Sequence, residues 1–503
     1  MAKESMKNIF TALLLILIGS SAFAQIEMSS YTATGRAGVS VTLLSDYQCQ
    51  GINPANLAFK PEFKKRNICM GFGEFGFSIY SDALNLSGLY DGLFNPNRTL
   101  SRAEKQQAAK DFASKALTAN LDFLYGGVSW QSDNGLFGLA FTIRERAQWY
   151  SKFSELSSEI MFNGFNAKVR DPLTNNLVNY FSEFKLEEIL DANGNPRLGP
   201  DGKPLIDTVG IINQVSEAFK ISKILDGTRI SMLWNREFAL DYGMNIIDQE
   251  DFQLNAGIGI RYIQGIGFLD VNASGGKLNA SIAASPAFGL QFPQQVVTPQ
   301  NKGFFPNPVG HGVGFEFGLS MELRKRWRIG ASLTDIGSIS YESNSYTADD
   351  SPLRSLSTRG FTNFNFFQDP KQFESFNLEL VKWNGKKEMT QSLPSKFRVG
   401  ASLTTKLLNL GAEIVAPLNT NPGNLVRPVA SIGGDIKLLG IIQLSSGFMI
   451  GGNYTYGLVP LGITIRPLGP YYEFGVATRD IFTYLRPKNP MLSMSFGFCR
   501  IRI

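Results

Sequence analysis

Histidine and cysteine are nearly missing from this chain, with one His and three Cys in 503 residues. A zinc centre takes about three or four such ligands close together, and Cys49, Cys69, Cys499 and His311 are scattered. His311 stands in Pro308-Val309-Gly310-His311-Gly312, a glycine-rich turn leading into a strand, with no nucleophile motif beside it. The expectation is therefore no enzyme, no metal and no cofactor. An odd, sparse cysteine set is a poor disulfide framework, although a Cys49–Cys69 bridge stays open. Basic clusters are absent too: the net charge of +5 is spread along the chain, which gives no reason to expect a nucleic-acid partner. After Gln25 no window approaches the roughly twenty apolar residues of a spanning helix.

What is present at the start is an export signal. Lys3 and Lys7 form a basic region, Ile9 to Ile18 is almost unbroken apolar sequence, and Ala22-Phe23-Ala24 is a small-x-small cleavage site, so residues 1–24 read as a signal peptide. Farther on, the chain alternates. From Val313 to Leu323 one face reads Val313, Phe315, Phe317, Leu319, Met321, Leu323 and the other Gly314, Glu316, Gly318, Ser320, Glu322. A period of two is a strand, and large apolar groups opposed to small or charged ones suit a wall with lipid outside and water inside. The same alternation runs through Leu254–Tyr262, Trp327–Thr334, Lys396–Leu403 and Leu408–Ile414, with Leu410 outward and Asn409 inward. At the end of the chain Phe496 and Phe498 alternate until Arg500 breaks the phase.

Such segments are about ten residues long, enough to cross a bilayer, and number about fourteen. This favours an all-β fold, a transmembrane antiparallel β-barrel in residues 62–503, over a soluble sandwich or propeller. Its place is the outer membrane of a Gram-negative bacterium, with outer-membrane lipid as partner. The inward set Glu316, Glu322, Arg328, Arg398 and Glu413 carries both signs of charge, as in a polar lumen or equally a solvated sheet face. Short helices interrupt the strands: Ser101-Arg102-Ala103-Glu104 is a capping box opening a helix to about Leu117, and Ile212, Val215, Phe219 and Ser222 make a stripe over Ile211–Leu225. From about 151 to 225 the sequence is a polar insert. There Asp191, Asn193 and Asn195 fall at calcium-loop positions, but Pro196 and Gly202 replace the required glycine and glutamate.

In Gly51-Ile52-Asn53-Pro54-Ala55-Asn56-Leu57-Ala58, Pro54 removes a donor and restricts Asn53, so this is a fixed turn and no central strand. The Asn53-Pro54-Ala55 element resembles the N-terminal hatch of the long-chain fatty-acid transporter superfamily. Ser45-Asp46-Tyr47, Leu393–Gly400, Ala416-Pro417-Leu418-Asn419 and Tyr472–Asp480 look like an uncharacterised, domain-of-unknown-function family of outer-membrane proteins of Bacteroidetes-type bacteria, related to those transporters and to the type IX secretion barrel. The resemblance implies that residues 25–61 form a lumen hatch around Asn53, Pro54 and Ala55, that a small hydrophobic ligand binds near it, and that a gap in the wall releases the ligand sideways. Two functions follow: passive transport of small hydrophobic molecules, or a barrel serving as attachment or accessory subunit for protein secretion or surface assembly, its insert meeting the partner.

Overall fold

The computed structural model describes residues 30–60, 66–95, 98–167, 184–188, 197, 206–211, 220–288, 305–350, 356–358, 382–438, 440–486 and 488–503. The export signal lies outside them, as do much of the insert and its Asp191–Asn195 loop.

Fourteen strands build the wall: β1 (Ile68–Ser81), β2 (Ala116–Gln131), β3 (Phe137–Lys152), β4 (Arg229–Gln249), β5 (Phe252–Ser274), β6 (Gly310–Leu323), β7 (Trp327–Tyr341), β8 (Lys396–Thr404), β9 (Leu408–Pro417), β10 (Val429–Leu438), β11 (Ile442–Gly451), β12 (Leu461–Ile465), β13 (Tyr472–Thr478) and β14 (Met491–Arg502). Each pairs antiparallel with its neighbours in chain order, and β1 closes the ring on β14, Cys69 opposite Arg502 and Tyr80 opposite Met491. Closure leaves no wall strand with an open edge, the condition for backbone to sit in lipid. Every neighbouring pair is bonded, so the sideways gap implied by the resemblance does not occur as a missing pairing among these strands. The irregularities are register shifts, one of them between Leu124 and Gly126 where β2 meets β3.

Outward positions carry large apolar side chains all the way round, among them Leu240, Ile260, Phe317, Ile329, Leu410, Ile432, Phe448, Ile463, Val476 and Met494, all exposed. An apolar belt this continuous has no place on a water-soluble surface. Exposed Trp130, Trp327 and Tyr471 stand near one end of the strands, as an aromatic girdle does at a membrane interface. The ends also differ in their connections. At one, the turns 132–136, 250–251, 324–326, 405–407, 439–441 and 466–471 are two to six residues long; at the other, connections run from nine residues (452–460) to seventy-six (153–228). Short turns mark the periplasmic side and long loops the outside. The chain is an outer-membrane β-barrel.

The long loops carry the helices. Ser101 and Glu104 form the expected capping box on Arg102–Phe112. That helix packs on Glu155–Asn163, ring to ring between Phe112 and Phe162 at 4.9 Å. Most of the helix expected over Ile211–Leu225, residues 212–219, lies outside the described residues; before it Ile206–Ile211 is a strand paired with Phe184–Glu188, and at its end Ile221–Ile224 is helical. Beyond the membrane level the wall gains four further strands: Lys277–Ala284, Ser345–Asp349, Lys382–Lys386 and Met389–Ser392.

Arg500 and Arg502 point inward despite the alternation that precedes them. A register shift between Glu473 and Gly475 sets two residues of β14, Phe498 and Cys499, against Phe474, and this bulge turns the rest of the strand over.

Candidate functional site: the lumen and the segment inside it

Residues Ser30 to Phe59 are nearly all buried, and they are buried against the inward faces of the wall. The helix Tyr31–Gly35 lies against β11 to β14, the turn Asp46–Cys49 against β1 to β3, and the turn Pro54–Ala58 against β3 to β6. Proline at the first position and the Asn53 side chain, which accepts the Ala55 N–H at 3.2 Å, start that last turn. The Asn53 amide also donates to the Val41 carbonyl (3.0 Å), the Leu319 carbonyl (3.2 Å) and Ser320 Oγ (2.9 Å), tying the turn to itself and to β6.

Glycine makes room for this close approach. A Cβ built on Gly257 would stand 2.3 Å from the Ala55 nitrogen, and one on Gly243 2.6 Å from the Pro54 carbonyl oxygen. Gly318 faces the Asn53 side chain in the same way, at 2.0 Å. The small inward residues of the wall are thus the imprint of the segment inside it, and Pro54 and Ala55 are buried among them.

Carboxylates from the wall then capture the segment's free backbone donors. Glu413 accepts the N–H groups of Ser40 (2.5 Å) and Val41 (2.8 Å), and its charge is balanced by Arg398 at 3.2 Å. Glu316 accepts the Gly51 N–H at 2.8 Å and meets Arg261 Nε at 2.8 Å. Hydrogen bonds to charged groups contribute about 1.5–3 kcal/mol each, more than neutral ones. Arg36 pairs with Asp435, Asp46 with Arg500, and Tyr47 donates to Glu74, while the Tyr31 hydroxyl donates to Glu473 at 2.9 Å. Glu322 and Arg328 pair at 2.8 Å nearer the periplasmic end, half-buried, with the guanidinium 4.0 Å from the Phe59 ring centre. The five inward candidates read from alternation thus stand on inward faces: Glu316, Glu413 and Arg398 deep, Glu322 and Arg328 near the rim.

The sequence missed the residues that complete this layer. Arg261 reaches Glu237 at 3.0 Å and Asp335 at 2.5 Å; Arg146 reaches Glu237 at 2.6 Å; Lys396 reaches Asp335 at 3.1 Å. These groups come from strands far apart in sequence, and only the register unites them. Toward the outside they border a small cavity of about 10 Å³, room for a single water molecule. Leu233, Leu393 and Pro394 supply its apolar side, and Arg146, Gln148, Asn235 and Lys396 its polar one.

No cysteine pins the segment in place: Cys49, Cys69 and Cys499 are free thiols, and burial pushes the Cys49 thiol well above its ordinary value, so it stays protonated. His311 lies outside the lumen, on the outer face of β6, where Nδ1 and the Tyr262 hydroxyl are 2.7 Å apart. Among the described residues no group of three or more His, Cys, Asp or Glu could hold a metal ion.

Residues 225–455 match a family of unknown function, DUF5723, and the match spans less than half of the chain. Among solved structures the chain is similar to the toluene transporter TbuX of Ralstonia pickettii, at 11% identity over 95% of this chain and 99% of that one, with a TM-score of 0.41. It is similar to the toluene transporter TodX of P. putida at 11% identity over 95% and 97%, TM-score 0.41, and to a FadL homologue of Pseudomonas aeruginosa at 11% over 96% and 99%, TM-score 0.40. No curated protein matches the sequence.

Proposed function

We propose that the barrel is a passive outer-membrane channel for small hydrophobic molecules, gated by residues 25–61 acting as a hatch. The observation that carries this reading is the way the segment is held: among the described residues its ties to the wall are hydrogen bonds, ion pairs and close fits on glycine, and the three cysteines are free. Such ties exchange for water one by one, while the wall keeps its own hydrogen bonds whether or not the hatch is seated.

An accessory role in secretion or surface assembly would use the insert at about 151–225. Its described helix, Glu155–Asn163, is turned onto Arg102–Phe112 with Phe162 fully buried, and so offers that ring to no partner. The test is a reversible lock: Asn53→Cys with Ser320→Cys, whose side chains are in contact. Oxidation should stop uptake of a small hydrophobic fluorophore by cells carrying the barrel, and reduction should restore it. Uptake indifferent to the lock would mean that the segment is no gate.

A further inference from the structure

Asp241 on β4 and Glu316 on β6 both lie opposite Gly259 on β5, so two inward carboxylates flank a residue that has no side chain. The gap is tight: a Cβ on Gly259 would sit 2.3 Å from Asp241 Oδ1 and 3.3 Å from Glu316 Cβ. The hatch closes over it. Gly51 donates its N–H to Glu316, and Gln50 donates its amide to the carbonyl of Ala140, the β3 residue directly opposite Asp241, at 3.1 Å. Asp241 and Gln50 are fully buried; the Gln50 amide stands beside Asp241, but no donor meets either Asp241 oxygen or Gln50 Oε1 at full hydrogen-bond geometry among the described residues. A buried carboxylate without a donor is expensive.

Charge tells the same story independently. In the layer just described, Glu237, Asp335, Glu316 and Asp241 face Arg146, Arg261 and Lys396, which leaves one negative charge over. The next cation, Arg144, also acts on Asp241 but is itself matched with Asp122 at 3.7 Å, so the count stays one negative charge over. The unanswered groups are all oxygens, the donor type that hard cations take and soft ones avoid.

We propose that Asp241, Glu316 and Gln50 Oε1 hold a hard cation, sodium or calcium, between wall and hatch. Because Gln50 belongs to the hatch and the carboxylates to the wall, the ion bridges the two, and its binding favours the seated hatch. The site stands on these groups alone, whether or not the hatch gates transport.

The purified barrel, stripped with chelator, should unfold several degrees higher on adding calcium or sodium chloride, with choline chloride as the ionic-strength control. Elemental analysis should find a single cation per chain. Asp241→Asn should abolish both responses and leave the ion-free protein at least as heat-resistant as the loaded wild type, since it removes the excess charge. Gln50→Ala, which leaves the wall untouched, should shift the titration to higher cation concentration; this variant decides the matter if Asp241→Asn does not assemble. Calcium and sodium arms separate the two ions. The proposal is overturned if the wild type ignores both, if Asp241→Asn still responds, or if only acidification stabilises the wild type, which would put a shared proton between the carboxylates.

Discussion

Along β6, the outward residues Val313, Phe315, Phe317 and Leu319 are all exposed, while the inward residues Gly314, Glu316, Gly318 and Ser320 are all buried, and three of these four engage named groups of the segment inside the lumen. The outer face needs only bulk and apolarity, because lipid is a fluid partner that fits any shape. The inner face needs a particular atom at each position, because its partner is a folded segment of the same chain. One strand therefore carries a tolerant code and an exacting one on alternate residues.

The contrast can be broken first at Glu413. Glu413→Gln leaves Arg398 buried beside a neutral group and weakens two bonds to the segment inside the lumen, for an expected loss of about 3 to 5 kcal/mol. Urea unfolding in detergent micelles measures it, and an unchanged midpoint would mean that the inner face is as tolerant as the outer. Next comes Phe317→Arg, which places a charge in the belt at about 2 to 4 kcal/mol if the position is near the bilayer centre. Assembly into lipid vesicles should fall with it, and should be indifferent to Phe317→Leu. Smaller still is Gly257→Ala, where a single methyl group strikes the Ala55 backbone and costs about 1 to 3 kcal/mol by overpacking. A loss there with no loss for Phe317→Leu would sharpen the distinction; the reverse order would erase it.

The tolerant code was the legible one. Period-two alternation placed Phe317 and Leu410 outward and Asn409 and Glu316 inward, because apolarity on one face is a property of each strand by itself. The inner face resisted reading for the opposite reason. Glu316 and Glu413 stood out as charges, but their partners Gly51, Ser40 and Val41 offer backbone N–H groups, which no side-chain pattern announces. Asp241, Gly259 and Glu316 form a row only once three strands are in register. Arg500 escaped because the bulge at Phe498 and Cys499 carries no turn residue to betray it. The segment inside the lumen lacks periodicity altogether; Asn53-Pro54 marked a fixed turn, and its seat became visible only as glycines on strands far off in sequence.

The central claim is that residues 25–61 close a lumen whose wall stands without them, and single-channel conductance in planar bilayers tests it most directly. Deletion of Ser45 to Phe59 removes two of the segment's three contact turns and leaves all fourteen strand pairings intact. The shortened barrel should still migrate faster on gels when unheated and should conduct ions steadily, while the full chain stays nearly silent. Equal conductance of the two, from barrels folded by the same gel criterion, would contradict it.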